Sequence, residues 1–245
     1  MPTIVVEYYA RFIDHFTQGL GFYKLFWIFL FGSVLGVVVE TLWCLASRHH
    51  YENRTGLLYG PFSPVYGIGA VALAVGLYPV RGARDGVILV AGAIIGSLVE
   101  YVCSWVQEKG FGSTSWDYSR LPFNLHGRIN LLYALFWGLL AIVWVKEIYP
   151  RLAAVLLLLP NAVGVPLTWI LMVLLTADGV LSALAVARWK GRVQGRAAAN
   201  QVEYFLDQHY SDARMKKTYT NMVFVSEKAA VQVPELPSET TRLTP

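Results

Sequence analysis

Apolar positions in this chain run in long blocks instead of alternating with polar ones, and most of the charge sits in the breaks between them. Five blocks approach or exceed the ~20 helical residues needed to cross about 30 Å of hydrocarbon. They predict spans at about 22–46, 62–79, 86–107, 129–147 and 163–187. The first carries Lys24 near its start and Glu40 inside it, the third carries Glu100, and the fifth carries Asp178. The stretch from Leu152 to Ala187 is too long for one straight span and too short for two with a turn. Pro160, Gly164 and Pro166 break it early, so 150–159 reads as a short interfacial helix ahead of the fifth span. A re-entrant two-helix hairpin is the other arrangement that fits.

Ahead of the first span, Tyr9, Phe12, Ile13, Phe16 and Leu20 recur at helical spacing opposite Arg11 and Asp14. This predicts a helix within 1–21 lying along the membrane surface. After the last span a basic tail covers 188–245, with Val202, Phe205, Leu206, His209 and Ala213 on one face of an amphipathic helix. From Val233 onward the tail has three prolines and little to bury, which predicts disorder.

Composition agrees with the blocks: 56% of the 245 residues are hydrophobic and only 15% charged, too apolar for a soluble domain of this size. The fold class expected is all-α, a polytopic membrane helical bundle with added interfacial helices. Cys44 and Cys103 lie inside apolar blocks, where they read as packing residues, neither a disulfide framework nor a metal site. The opening "MPTIVVEYYARFIDHF" has no basic n-region or small-residue cleavage site, so no signal peptide is expected there. Nine Lys and Arg near the span ends fall on the side of the tail against six on the other, which puts the tail in the cytoplasm.

A repeat organises the first four spans. At an offset of 60, Gly32, Gly36, Val39, Glu40 and Gly67 coincide with Gly92, Gly96, Val99, Glu100 and Gly127. Each unit crosses twice, so the copies are expected as parallel repeats about an axis along the membrane normal. Residues four apart share a helix face, giving the ladders Gly32, Gly36, Glu40, Cys44, Arg48 and Gly92, Gly96, Glu100, Ser104, Glu108. Glycines at that spacing let helices pack closely in lipid. The expectation is that the two seams meet, with Glu40 and Glu100 facing inward, where an intramembrane acid belongs. Arg48 of one copy would then meet Glu108 of the other, in an ion pair or a shared polar cluster.

The segments "NRTGLLYGPFSPVYGIGAV" and "SWVQEKGFGSTSWDYSRLPFNLHGRINLLYALFWGLLA" resemble the bacterial family called putative ABC-transporter type IV, or CmpB-like. The resemblance covers roughly residues 25–190 and includes Glu40, Arg54, Glu100, Asp117, Asn124, Arg128 and Asp178. One departure is "NRTG", where the family usually has an aromatic-bearing Asn-Arg-Gly-Phe type turn. The resemblance implies a subunit of a transporter in the bacterial cytoplasmic membrane, together with a separate ATP-binding subunit.

Three functions remain in view. A permease would place its solute or ion site between the repeats, using Glu40, Glu100, Glu108, Asp117, Asn124, Arg128, Arg54 and Asp178. No Gly-x-x-x-x-Gly-Lys-Ser/Thr segment is present, so ATP hydrolysis would come from a partner. A scaffold or regulatory subunit would use the basic tail on anionic lipid or on a partner. A lipid-acting enzyme is disfavoured by the lack of a nucleophile elbow or a zinc His-Glu-x-x-His. No cofactor or nucleic acid is expected; the bilayer is the partner expected, and a homo-oligomer is compatible.

Overall fold

The computed structural model describes residues 15–49 and 51–226. Long apolar runs take helical form because a helix satisfies its backbone N–H and C=O groups within the segment. Four helical stretches are long and apolar enough to cross a membrane: Phe22–Ser47, Asp85–Phe111, Leu131–Leu157 and Asn161–Val193. The first two belong to α1 (Phe22–Arg48) and α3 (Asp85–Phe111).

The structure differs from the five expected spans in two places. Between α1 and α3 lies α2 (Pro64–Gly76), of only 13 residues. At 1.5 Å per residue it is roughly 20 Å long, short of a crossing. Its entry is re-entrant: the Ser63 N–H donates to the Ser33 carbonyl at 3.2 Å, near the middle of α1. Two prolines and Gly60, at φ +69°, keep this entry out of helix. The second difference concerns 150–159, which is not a separate interfacial helix. α4 (Leu131–Val143), a π-helical turn (Trp144–Ile148) and α5 (Tyr149–Leu157) form one run. The widened turn precedes Pro150 and absorbs its missing N–H. The break comes at Leu158–Pro160, after which α6 (Asn161–Val193) runs 33 residues through Pro166.

α1 packs on α2, and α3 on α4, through the glycine ladders. A Cβ on Gly32 would lie 2.4 Å from that of Ala70, and one on Gly36 2.1 Å from the Tyr66 ring. A Cβ on Gly92 would lie 2.1 Å from that of Ala141, and one on Gly96 2.2 Å from the Trp137 ring. Each seam is therefore filled by the second helix of its own hairpin, where the sequence led us to expect the other seam. The hairpins adjoin through α2 and α3, and through Gly69 of α2 against Trp137 of α4. The contact counterpart of Gly67 is Gly138, close to Gly92 as Gly67 is to Gly32. Gly127, its expected equivalent, lies in a loop at φ +66°.

That loop, between α3 and α4, holds β1 (Ser113–Thr114), β2 (Asn124–Leu125) and β3 (Ile129–Asn130). After α6 the chain folds back as α7 (Gln201–His209), α8 (Asp212–Thr218) and β4 (Val223–Phe224). Leu206, Tyr210, Met215, Tyr219 and Phe224 bury themselves on Ala185, Val186 and Trp189 of α6. β4 pairs antiparallel with β1. The Thr220 hydroxyl donates to the Asn53 carbonyl at 2.7 Å, and the Tyr59 and Tyr210 hydroxyls lie 3.0 Å apart. The C-terminal unit thus fastens both interhelix loops. It also takes up part of the basic cluster: Arg188 forks onto Asp207 at 2.8 and 2.7 Å, and Arg192 reaches Asp207 and Asp212 at 2.6 Å each. These arginines are bound within the chain, not left free for anionic lipid. The surface helix expected within 1–21 lies outside the described residues up to residue 14, and His15–Gly21 form turns. The expectation for Val233 onward also lies outside the described residues.

Two predictions follow from this packing. Gly36→Ala forces a methyl into the Tyr66 ring and is expected to cost about 1–3 kcal/mol, read as a lower unfolding temperature in detergent. Gly179→Ala, with nothing within 4 Å of the added carbon, leaves that temperature unchanged or raises it. Hydrogen bonds from Arg188, with those from Arg192, hold the Asp207 carboxyl down to about 2 from its usual 3.8. A depressed carboxyl contributes stability above its unfolded value and loses it as pH falls through the folded one. The C-terminal unit is therefore expected to stay docked at pH 5 and to loosen between about pH 4 and pH 2, checked by limited proteolysis across that window.

Candidate functional site

Where α1 turns into the first re-entrant loop, Glu40 meets three groups. Arg54 Nη1 lies 3.1 Å from Oε1, and the Tyr66 hydroxyl donates to Oε2 at 2.6 Å. Arg54 Nη2 also reaches Glu52 at 2.5 Å and the Cys44 sulfur at 2.9 Å, one helical turn beyond Glu40. The Arg54 side chain is only 8% exposed, whereas Glu40 keeps 29%, so the arginine is withdrawn from solvent and the acid half-buried. Arginine suits the place because its planar fork serves several acceptors at once without losing its charge. The loop can deliver it only because the chain turns back into the bundle after α1.

The second hairpin handles its acids differently. The Tyr118 hydroxyl donates to Glu100 Oε1 at 2.7 Å, and the Trp137 indole sits by the same carboxylate. Glu100 is 8% exposed and its Oε2 is buried without a partner at hydrogen-bond distance. No Lys or Arg pairs with it among the described residues. Arg128 goes one and two turns further along α3, to Ser104 at 3.1 Å and Glu108 at 2.7 Å. Burial first, then the Glu100 carboxylate, pushes the Tyr118 phenol above its usual value, so it stays a donor. Tyr118 stacks on Tyr133 with ring centres 4.5 Å apart. Tyr66 lies within electrostatic range of Glu100 as well as bonding Glu40, which brings the two clusters together.

Several expected site residues hold the loops. Asp117 Oδ1 accepts from the Ser119 N–H at 2.9 Å and lies against Gly127. Asn124 donates to the Leu121 carbonyl at 2.7 Å and accepts from the Gly127 N–H at 2.9 Å. Asn130, buried, caps α4 through the Leu132 N–H and ties the Pro122 carbonyl. Together they fix the turn that aims Tyr118 and Arg128. Asp178, on α6, stays apart from both acids. It accepts the Tyr59 N–H at 3.2 Å and lies beside Ser182, which accepts the Leu58 N–H at 2.9 Å. An acid among apolar residues here satisfies backbone donors of the re-entrant loop that no helix can.

Of the residues picked from sequence, Glu40 with Arg54 and Glu108 with Arg128 form pairs, and Glu100 meets Tyr118 and Trp137 of its own hairpin. The expected meeting of Arg48 with Glu108 falls outside the described residues, because the Arg48 side chain does; Glu108 binds Arg128. Sequence reasoning missed Tyr66, Tyr118, Glu52, Ser104 and Trp137 as acid or arginine partners. Cys44 and Ser104 were visible on the ladders at the same offset, one turn past each acid; that was the available signal for where an arginine would reach. Among the described residues, no group of three His, Cys, Asp or Glu gathers as a metal site. Removing the donor in Tyr118→Phe leaves Glu100 Oε1 bare, at an expected cost of about 1–3 kcal/mol. Tyr101→Phe, whose hydroxyl meets His126 at the surface, is expected to cost less; thermal unfolding of the two variants side by side checks this.

No curated protein and no solved structure matches the chain. Residues 27–183, the stretch carrying both hairpins, both acid clusters and Asp178, match the family described as "Putative ABC-transporter type IV". The chain is a membrane protein of that family.

Proposed function

We propose that this chain is the membrane-embedded subunit of a transporter, and that a small solute or ion passes the polar groups between its two hairpins. The observation that carries the reading is Glu100, a buried acid with one bare oxygen, in a chain whose other hairpin holds a second acid, Glu40, with Arg54 and Tyr66. Intramembrane ionisable groups are expensive and mark substrate or ion pathways. Support for two parallel repeats comes from the matched contacts, Gly32 with Ala70 and Gly36 with Tyr66 against Gly92 with Ala141 and Gly96 with Trp137. A re-entrant loop ending in a half-length helix near mid-bundle is also how transporters build such sites.

In this reading the chain spans the bacterial cytoplasmic membrane with its C-terminal unit in the cytoplasm. A separate ATP-binding subunit supplies the energy and docks on the loop face that this unit covers. A scaffold or regulatory role is the second reading, favoured by the C-terminal unit's hold on both loops. Vesicles of the source membrane separate the two. Under the transport reading, Glu100→Gln lowers ATP-dependent uptake at least ~10-fold while assembly with the ATP-binding subunit persists. Unchanged uptake in both Glu100→Gln and Glu40→Gln, with assembly intact, sinks transport through this site and leaves the scaffold.

A further inference from the structure

We propose that Glu100 is the proton-carrying group of this site, binding one proton on Oε2. The proposal deepens the transport reading, which gives the proton a place in a cycle, while its chemistry stands on the geometry alone. Oε1 is met by the Tyr118 hydroxyl, and Oε2 is buried and bare. The groups at the carboxyl are Tyr118 from the loop and Trp137 from α4, with Tyr66 of α2 and Cys103 of α3 within electrostatic range. None of them carries a positive charge. The two nearby arginines are committed elsewhere, Arg54 to Glu40 and Glu52, and Arg128 to Glu108 and Ser104.

A carboxylate buried without a counter-charge is unfavourable, and what Oε2 lacks is a positive partner. Calcium or magnesium would call for about six oxygen ligands, and no metal cluster gathers among the described residues. A proton needs no cage. It removes the charge and turns the bare acceptor into an O–H. On uptake an O–H bond forms at Oε2 from an aqueous proton; on release the bonding pair stays with the carboxylate and the proton returns to water, so no electrons change hands. Glu40 stands in contrast, because Arg54 and Tyr66 fill both of its oxygens.

Dicyclohexylcarbodiimide tests this on the unmodified full chain in lipid nanodiscs, since it enters apolar sites and adds to a carboxyl only when that carboxyl holds its proton. The expected result, read by peptide mass, is adduct on Glu100 at least ~10-fold above that on Glu40, whose two oxygens are already taken by Arg54 and Tyr66. The Glu100 adduct should fall as the pH of the reaction is raised. Absence of label on Glu100, label with no pH dependence, or label on Glu40 in its place overturns the proposal. Because the labelling is read on resting protein, a chain that labels at Glu100 but moves no solute keeps the proton site and loses the transport reading; a transporting chain without label does the reverse.

Discussion

A carboxylate among apolar helices has to be met by protein, and regular helix cannot do it, because its own backbone donors are already engaged. Everything distinctive in this fold follows from how that demand is answered. In each hairpin the chain leaves the helix, turns back into the bundle, and brings a tyrosine hydroxyl and an arginine to the acid-bearing face of the first helix. The glycine ladders make this possible by letting the second helix come close enough for Tyr66 and Trp137 to lie over the first.

Re-entrant backbone creates its own debt of unpaired N–H groups, and other elements settle it. Asp178 and Ser182 on α6 take the amides of Leu58 and Tyr59, and Asn124 and Asn130 close the second loop on itself. The C-terminal unit then holds both loops from outside, through β4 on β1 and Thr220 on Asn53. A movement of one loop is therefore felt by the other through this unit, as well as through the α2–α3 contact. The two acids themselves end up unlike: Glu40 is matched by a guanidinium, whereas Glu100 has one hydrogen-bond donor, Tyr118, and no cation among the described residues.

Much of this was legible in the sequence. The long apolar runs gave helices at 22–46, 86–107 and 129–147, and the two Gly-x-x-x-Gly-x-x-x-Glu ladders marked the faces that pack. What hydropathy could not show was where an apolar run stops being helix. The block at 62–79 is apolar enough for a span, but Pro61, Pro64 and the flanking glycines convert its start into loop, leaving α2 short. At Pro150 the same residue type failed to end a helix, because a π turn absorbed it. The partners of the acids were hidden for a related reason: Tyr66 is 26 residues from Glu40, and only a chain that doubles back puts them together. Asp178 was read as a ligand because an acid in a span stands out in sequence; that it also accepts a loop amide could not be read there.

The central claim is that each hairpin answers its intramembrane acid from within, and the Glu40–Arg54 pair is where that is most direct. A double-mutant cycle on unfolding free energy, with Glu40→Gln, Arg54→Gln and the pair combined, isolates the interaction from the separate costs of each change. The account predicts that the double variant is less damaged than the sum of the singles, with a coupling of about 1–3 kcal/mol. Additive effects within about 0.5 kcal/mol would contradict it, because the two side chains would then not be answering one another.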